Sequence, residues 1–342
     1  MIKTNYEIGS EFWDVPVCDT GNTLFPSNTI WYLSGRSALT AIIKDIKKRT
    51  QFHSVAMPSW CCDSMILPFL SQNIDVEFYS VFSENRQLKY DFSKIYNCDA
   101  ILIMDYFGYK RDFNLDFDAI IINDVTHSVF CGGFTKADYT FGSLRKWAGF
   151  YTGGFAYTKD NRTLESDESS SDLQYISVRK LAMDKKRQFI DGNTDSKQYL
   201  SDFSFAESLL DEYPCGRADK FDVLRANKLD IDFIRQKRRG NASVILKHLS
   251  EFAVFPELKE NDCPLFVPLL FQNKKREELR KYLVENKIYC PVHWPVSKVH
   301  KLNPTTKELY EQEISIVCDQ RYNISDMEYI CDKINKFLGC DK

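Results

Sequence analysis

The chain has 342 residues, 44% of them hydrophobic and 14% aromatic, which is enough apolar material for one large domain and a smaller one. Its 45 Lys and Arg nearly balance 48 Asp and Glu, and a net charge of −3 gives no electrostatic basis for binding nucleic acid or an anionic membrane, so a small molecule is the expected partner. No basic segment leads into an apolar run at MIKTNYEIGSEFWDV, and no stretch reaches the ~18 apolar residues of a membrane span, which points to a cytoplasmic protein.

From about residue 29 to 160, short apolar runs alternate with helical patterns, the signature of a mostly parallel sheet flanked by helices. The first helix follows Ser34, because Ala38, Leu39, Ile42, Ile43 and Ile46 share one face. At its start, Ser34-Gly35-Arg36-Ser37 offers unpaired backbone N–H groups and a positive dipole end, suited either to a phosphate or to a plain N-cap. Strands are predicted at 53–57, 76–79, 100–104, 119–122 and 139–141. The polar run 165–172 reads as an exposed loop. A helical stretch over 224–249, interrupted by Gly240, leads into the last hundred residues and sets the expected domains at 1–225 and 226–342. Beyond it come a strand at 265–270, a helix at 274–285, a strand at 288–292 and a last helix. That helix carries Ser325 and Glu328 as a capping box, an apolar stripe from Met327 to Leu338, and Gly339 as its end.

Three places carry chemistry. Asp124 ends the apolar run Ile120-Ile121-Ile122, and ligands in open α/β sheets collect at the carboxyl ends of strands; a cap or loop ion pair is the other reading. His127 follows closely enough to share such a site. Lys146 lies among apolar and aromatic residues, just after one strand and just before Gly153-Gly154 and another. Such surroundings lower a lysine pKa and make the amine a nucleophile towards carbonyls, whereas a surface lysine beside Arg145 is the plain alternative. Eleven cysteines, an odd number without C-x-x-C spacing, read as free thiols and give no expectation of a metal site. No G-x-G-x-x-G follows a strand, which argues against a dinucleotide.

A glycine-containing helix start, a strand-ending Asp, a downstream Lys and then Gly-Gly is an order that resembles the fold-type I pyridoxal-phosphate enzymes. More narrowly, the chain resembles the DegT/DnrJ/EryC1/StrS sugar aminotransferase family. Ser34-Gly35-Arg36-Ser37-Ala38-Leu39 looks like its SGTxAL turn, Pro58-Ser59-Trp60 like its P-S-aromatic, and Tyr106-Phe107-Gly108 like its Y-G loop. Asn123 to His127 resembles its E-D-A-A-H segment, Ser143 to Lys146 with Gly153-Gly154 its S...K...GG, and Val292-His293-Trp294-Pro295 its late V-H-Y-P.

The resemblance implies a fold-type I transferase, with a large α/β domain and a smaller C-terminal α/β domain. It also implies a homodimer that uses pyridoxal 5'-phosphate to move an amino group from glutamate to a keto group of a nucleotide-linked sugar, for cell-surface polysaccharide or related sugar biosynthesis. Lys146 would hold the cofactor as a Schiff base and shuttle a proton, and Asp124 would pair with the ring nitrogen. Gly35, Arg36, Ser37, Ser143 and Arg145 would take the phosphate, His127 would sit beside the ring hydroxyl, and Trp60 would cover the ring face. Tyr106 and His293 would face the substrate. Cys62 stands where the family has its stacking aromatic, Phe141 where it has a phosphate serine, and Thr152 where a Glu precedes Gly-Gly. Arg217 is the one remnant of the family's N-Y-R stretch. These departures keep two other readings in view: a pyridoxal-phosphate enzyme that works by elimination or on a non-sugar compound, and a catalytically idle interaction protein.

Overall fold

The computed structural model describes residues 6–339 apart from 23, 94, 96, 112–116, 132–136, 168–172, 273 and 301. In chain order the elements are β1 (Ile8–Gly9), β2 (Ile30–Tyr32), α1 (Gly35–Arg49), β3 (Ser54–Pro58), α2 (Asp63–Leu70), β4 (Asp75–Glu84), β5 (Gln87–Asp91) and β6 (Ala100–Met104). Next come β7 (Ile120–Asp124), β8 (Tyr139–Ser143), β9 (Gly154–Thr158), α3 (Gln174–Ile190), α4 (Tyr199–Ser208), α5 (Lys220–Ala226) and α6 (Ile231–Leu249). The chain closes with β10 (Phe266–Leu270), α7 (Lys275–Glu285), β11 (Ile288–Tyr289), α8 (Pro304–Gln312), β12 (Glu313–Val317) and α9 (Ile324–Leu338).

Eight strands form one sheet in the order β2-β9-β8-β7-β6-β3-β4-β5. The strands β4, β3, β6, β7 and β8 run parallel, while β9 and β5 run against their neighbours. All five residues of β6 and of β8 are buried, which explains why β6 reads as a continuous apolar run instead of an alternating one. The register sets Met104 opposite Asp124, Asp124 opposite Phe141, and Ser143 opposite Gly154. The carboxyl ends of β6, β7 and β8 therefore share one edge with the start of β9, and the candidate site residues gather there.

Gly154 shows how tightly that edge is built. A Cβ on it would lie 2.0 Å from the Ser34 carbonyl oxygen and 2.9 Å from the Gly35 nitrogen, so only glycine lets β9 pass the start of α1. Gly154→Ala is expected to cost about 3 kcal/mol, read as a lower midpoint in urea unfolding, because the atoms it meets are backbone and cannot swing aside.

Each of the five predicted sheet strands forms, β6 with the predicted bounds and the other four shifted or lengthened at their ends. The largest extension is β4, which continues into a hairpin with β5 through Asn85 and Arg86, both at positive φ (51° and 56°). Two helix boundaries differ from expectation. The 224–249 stretch breaks before residue 231, where the Asp230 side chain accepts from Phe233 N–H and caps α6; Gly240 lies within the unbroken helix, where a Cβ would meet only Ile324 at 4.0 Å. In α9 the capping box is Asn323 with Asp326 rather than Ser325 with Glu328, since Asn and Asp satisfy the same reciprocal pattern two residues earlier. Gly339 ends that helix at φ 75°, as expected. Of the 165–172 loop, residues 168–172 lie outside those described.

A second apolar cluster gathers residues of α6, β10, α7, β12 and α9, and Ile8 of β1 joins it. Among the described residues no helix is long and apolar enough to cross a membrane, and no group of three or more His, Cys, Asp or Glu could hold a metal ion.

Candidate active site

At the carboxyl edge of the sheet lies a cavity of about 690 Å³. Lys146 enters it from a single tight turn, Leu144–Lys146, directly after β8. That turn is held on both sides. Leu144 N–H donates to the Gly153 carbonyl at 2.8 Å, and the buried Trp147 ring donates from Nε1 to the Thr126 carbonyl at 2.8 Å. With Leu144 and Trp147 packed, Lys146 and the half-buried Arg145 are left facing the cavity. Its amine is nonetheless surrounded by protein, and that burial, followed by the charge of Arg145, draws its pKa below the usual lysine range; Cys62 and Glu11 act in the other direction.

Asp124 faces the same cavity from the end of β7. It is 3% exposed, and its Oδ1 accepts from Thr126 N–H at 2.8 Å. No cation among the described residues pairs with it, so burial, opposed by the Thr126 hydrogen bonds, pushes the carboxyl up to about 6. Native Asp124 thus keeps its proton between 3.8 and about 6, where an unfolded carboxyl has lost it. Stability of the cofactor-free protein therefore falls as pH rises through that window, by about 3 kcal/mol. Asp124→Asn is expected to lack this component, so urea unfolding of the two proteins from pH 4 to 7 should diverge in favour of the Asn variant; parallel profiles would contradict the assignment.

His127 is buried, and its Nδ1 accepts from Phe107 N–H at 3.3 Å, which leaves the proton of the neutral ring on Nε2. Burial, then His293 and Lys146, hold its pKa well below 6.5, so the ring is uncharged at neutral pH. It stacks on Trp294 with centroids 5.7 Å apart and planes 23° from parallel.

The start of α1 forms another wall. Ser34 caps it by accepting from Ser37 N–H at 3.1 Å, and Gly35 and Arg36 line the cavity beside Ser143. Arg145 and Arg179 both bind Oε1 of Glu207, Arg179 at 2.9 Å, while Arg36 pairs with Asp211. Three guanidinium groups thus face two carboxylates. Burial and then Arg179 lower Arg145 to about 10, and the buried Nε atoms of both Arg36 and Arg145 have no hydrogen-bond partner among the described residues. One positive charge in excess and two unsatisfied buried donors suit an anion.

Of the residues singled out in the sequence, Gly35, Arg36, Asp124, His127, Ser143, Arg145 and Lys146 line the cavity. Ser37, Trp60, Tyr106 and His293 stand outside the lining. Trp60 is fully buried, stacks on Tyr106 at 5.0 Å and 15°, and donates from Nε1 to the His293 carbonyl at 2.7 Å. His293 is engaged by Glu313, which accepts from its N–H at 2.7 Å, and by Ser315, 2.9 Å from its Nδ1. Cys62 and Phe141 do line the cavity, whereas Thr152 turns away and bonds Asp222 through both N–H (2.6 Å) and hydroxyl (2.8 Å). Sequence reasoning missed Glu11, Arg179, Glu207 and Trp294, all in the lining. Trp294 alone had a signal, lying next to His293 in the same motif.

The donor set fits pyridoxal 5'-phosphate. A buried carboxylate without a cation matches a protonated ring nitrogen, a lysine of lowered pKa matches an aldehyde, and the arginine pole matches a phosphate.

No family model matches the chain, and no curated protein matches it in sequence. In fold it is similar to Spr1654 of Streptococcus pneumoniae, named as a sugar aminotransferase and solved in its PLP form, with a TM-score of 0.65 and 12% identity over 98% of this chain and 99% of that one. It is similar too to PseC of Helicobacter pylori, an aminotransferase involved in the biosynthesis of pseudoaminic acid, with a TM-score of 0.62 and 14% identity over 97% and 100%. A DegT DnrJ EryC1 StrS aminotransferase from Brucella abortus gives a TM-score of 0.61 and 17% identity over 91% and 86%. These likenesses define a mixed α/β fold, a large central sheet with flanking helices. It is the fold of DegT/DnrJ/EryC1/StrS-type sugar aminotransferases, so the resemblance first seen in the motifs holds for the fold.

Proposed function

We propose that the protein is a pyridoxal-phosphate-dependent aminotransferase that moves an amino group from glutamate to a keto group of a nucleotide-linked sugar, in cell-surface polysaccharide or related sugar biosynthesis. One observation carries the reading: Lys146, of lowered pKa, and Asp124, a buried carboxylate that no cation among the described residues pairs with, line a single cavity with an arginine pole. The donor and the sugar follow from the resemblance and from what the similar structures are named for.

When bound, the cofactor supplies a carbonyl that takes up the amino group and a ring that withdraws electrons. Lys146 would hold the cofactor through its amine, and the lowering of its pKa by burial and Arg145 favours the neutral amine that can accept and return a proton. Asp124 would keep a proton at the ring nitrogen. Arg36, Arg145, Ser143 and the backbone of Gly35 would hold the phosphate. His127, neutral and stacked on Trp294, would wall the ring, and Cys62 lines the cavity where the family has an aromatic. Trp60 and Tyr106 brace the main chain of His293 from behind.

In this reading residues 1–225 hold the cofactor and 226–342 form the small domain, supported by the separate apolar cluster of the C-terminal elements. A homodimer belongs to it too, with Leu200, Phe205, Phe221 and Leu224 as exposed apolar surface for a second copy to cover. The test is spectroscopic: glutamate should bleach the visible band of the cofactor-loaded protein and a nucleotide-linked keto-sugar should restore it. Absence of any glutamate-dependent change would refute amino transfer.

A further inference from the structure

The N-terminal segment carries a charged group that neither the fold nor cofactor binding employs. Residues 9–12 form one wall of the cavity, and their backbone is pinned from several sides. Gly9 N–H donates to the Tyr322 hydroxyl at 2.8 Å, and that hydroxyl donates back to the Gly9 carbonyl at 3.2 Å. Arg321, gripped by both oxygens of Asp319 at 2.8 Å, donates to the carbonyls of Ser10 (3.2 Å) and Glu11 (3.0 Å) and lies 4.0 Å over the Phe12 ring. Upstream, Glu7 is buried against Lys186; downstream, Gly149 N–H donates to the Asp14 carbonyl at 2.8 Å.

Only the backbone of Glu11 is held. Its side chain is exposed to the cavity and makes no hydrogen bond or ion pair among the described residues. Lys146, Arg145 and Arg321 all lie within its electrostatic reach, but Arg145 is taken by Glu207 and Arg321 by Asp319. A rigid wall that sets a carboxylate, unpaired among the described residues, in a cavity beside two guanidinium groups already paired and the lysine assigned to the cofactor suits a ligand that donates hydrogen bonds. Phe12, Tyr289 and Trp294 line the same space. Ring faces beside a carboxylate match a compound with apolar C–H faces and hydroxyls at its rim. Glutamate is a poor match, because its own carboxylates are repelled by a third.

We propose that Glu11 selects and orients the amino-accepting substrate, its carboxylate accepting hydrogen bonds from hydroxyls of the sugar ring, an assignment that rests on the proposed transfer to a sugar. The experiment separates the two half-reactions by absorbance in cofactor-loaded wild type, Glu11→Gln and Glu11→Ala. Glutamate serves as donor, and UDP- and dTDP-linked 4-keto-6-deoxyhexoses as acceptors. For Glu11→Ala, kcat/KM of the acceptor half should fall about 10- to 100-fold, mainly through KM, with a smaller fall for Glu11→Gln, which retains one acceptor oxygen. The glutamate half should be unchanged or faster, and cofactor loading and thermal unfolding should match wild type. Equal losses in both halves, or none in either, overturn the role of Glu11 and leave amino transfer standing. If glutamate loads the wild type and none of the keto-sugars unloads it, the sugar reading fails and the assignment falls with it.

Discussion

Lys146→Ala is expected to lower the rate of amino transfer on the order of 10⁴-fold or more, because one amine both holds the cofactor and moves the proton. Its stability should hardly change, since the side chain projects into the cavity and makes none of the packing contacts of Leu144 and Trp147. Single-turnover absorbance with glutamate measures the first effect and urea unfolding the second. A variant that keeps wild-type turnover would remove Lys146 from the chemistry, and one that unfolds would show the residue to be structural.

Removing the Asp124 carboxylate should have the next largest effect. Asp124→Ala leaves a protonated ring nitrogen facing an apolar gap at the end of β7, and losing one partner of a buried charge pair typically costs several kcal/mol. The expected fall in transfer rate is on the order of 10²- to 10³-fold, accompanied by weaker retention of the cofactor on dialysis. The same substitution should make the cofactor-free protein more stable near neutral pH, because wild type then carries a buried carboxylate without a cation. Opposite signs in the two assays distinguish a functional carboxylate from a structural one.

The central sheet was legible because β6 is a buried apolar run and β7 opens with one; Asp124 stood out at the end of the second, and Lys146 stood out as a charge between β8 and Gly153-Gly154. What escaped depends on contacts between distant segments. The two residues of β1 are a strand only by pairing with β11, and β12 hides its apolar pattern behind the buried Glu313 and Ser315, which serve His293. Arg179 and Glu207 reach Arg145 from α3 and α4, helices with nothing in their sequence to suggest a site. Glu11 reads as an ordinary surface acid until Arg321 and Tyr322 are seen to fix the backbone around it. Trp60 shows the converse: its motif drew attention to the ring face, yet its indole packs on Tyr106 behind the cavity wall.

The most direct test of the account is borohydride reduction of the cofactor-loaded protein, followed by digestion and mass spectrometry. A single pyridoxyl group on the peptide containing Lys146 is the expected result. Incorporation at a different lysine, or none at saturating pyridoxal phosphate, would contradict it.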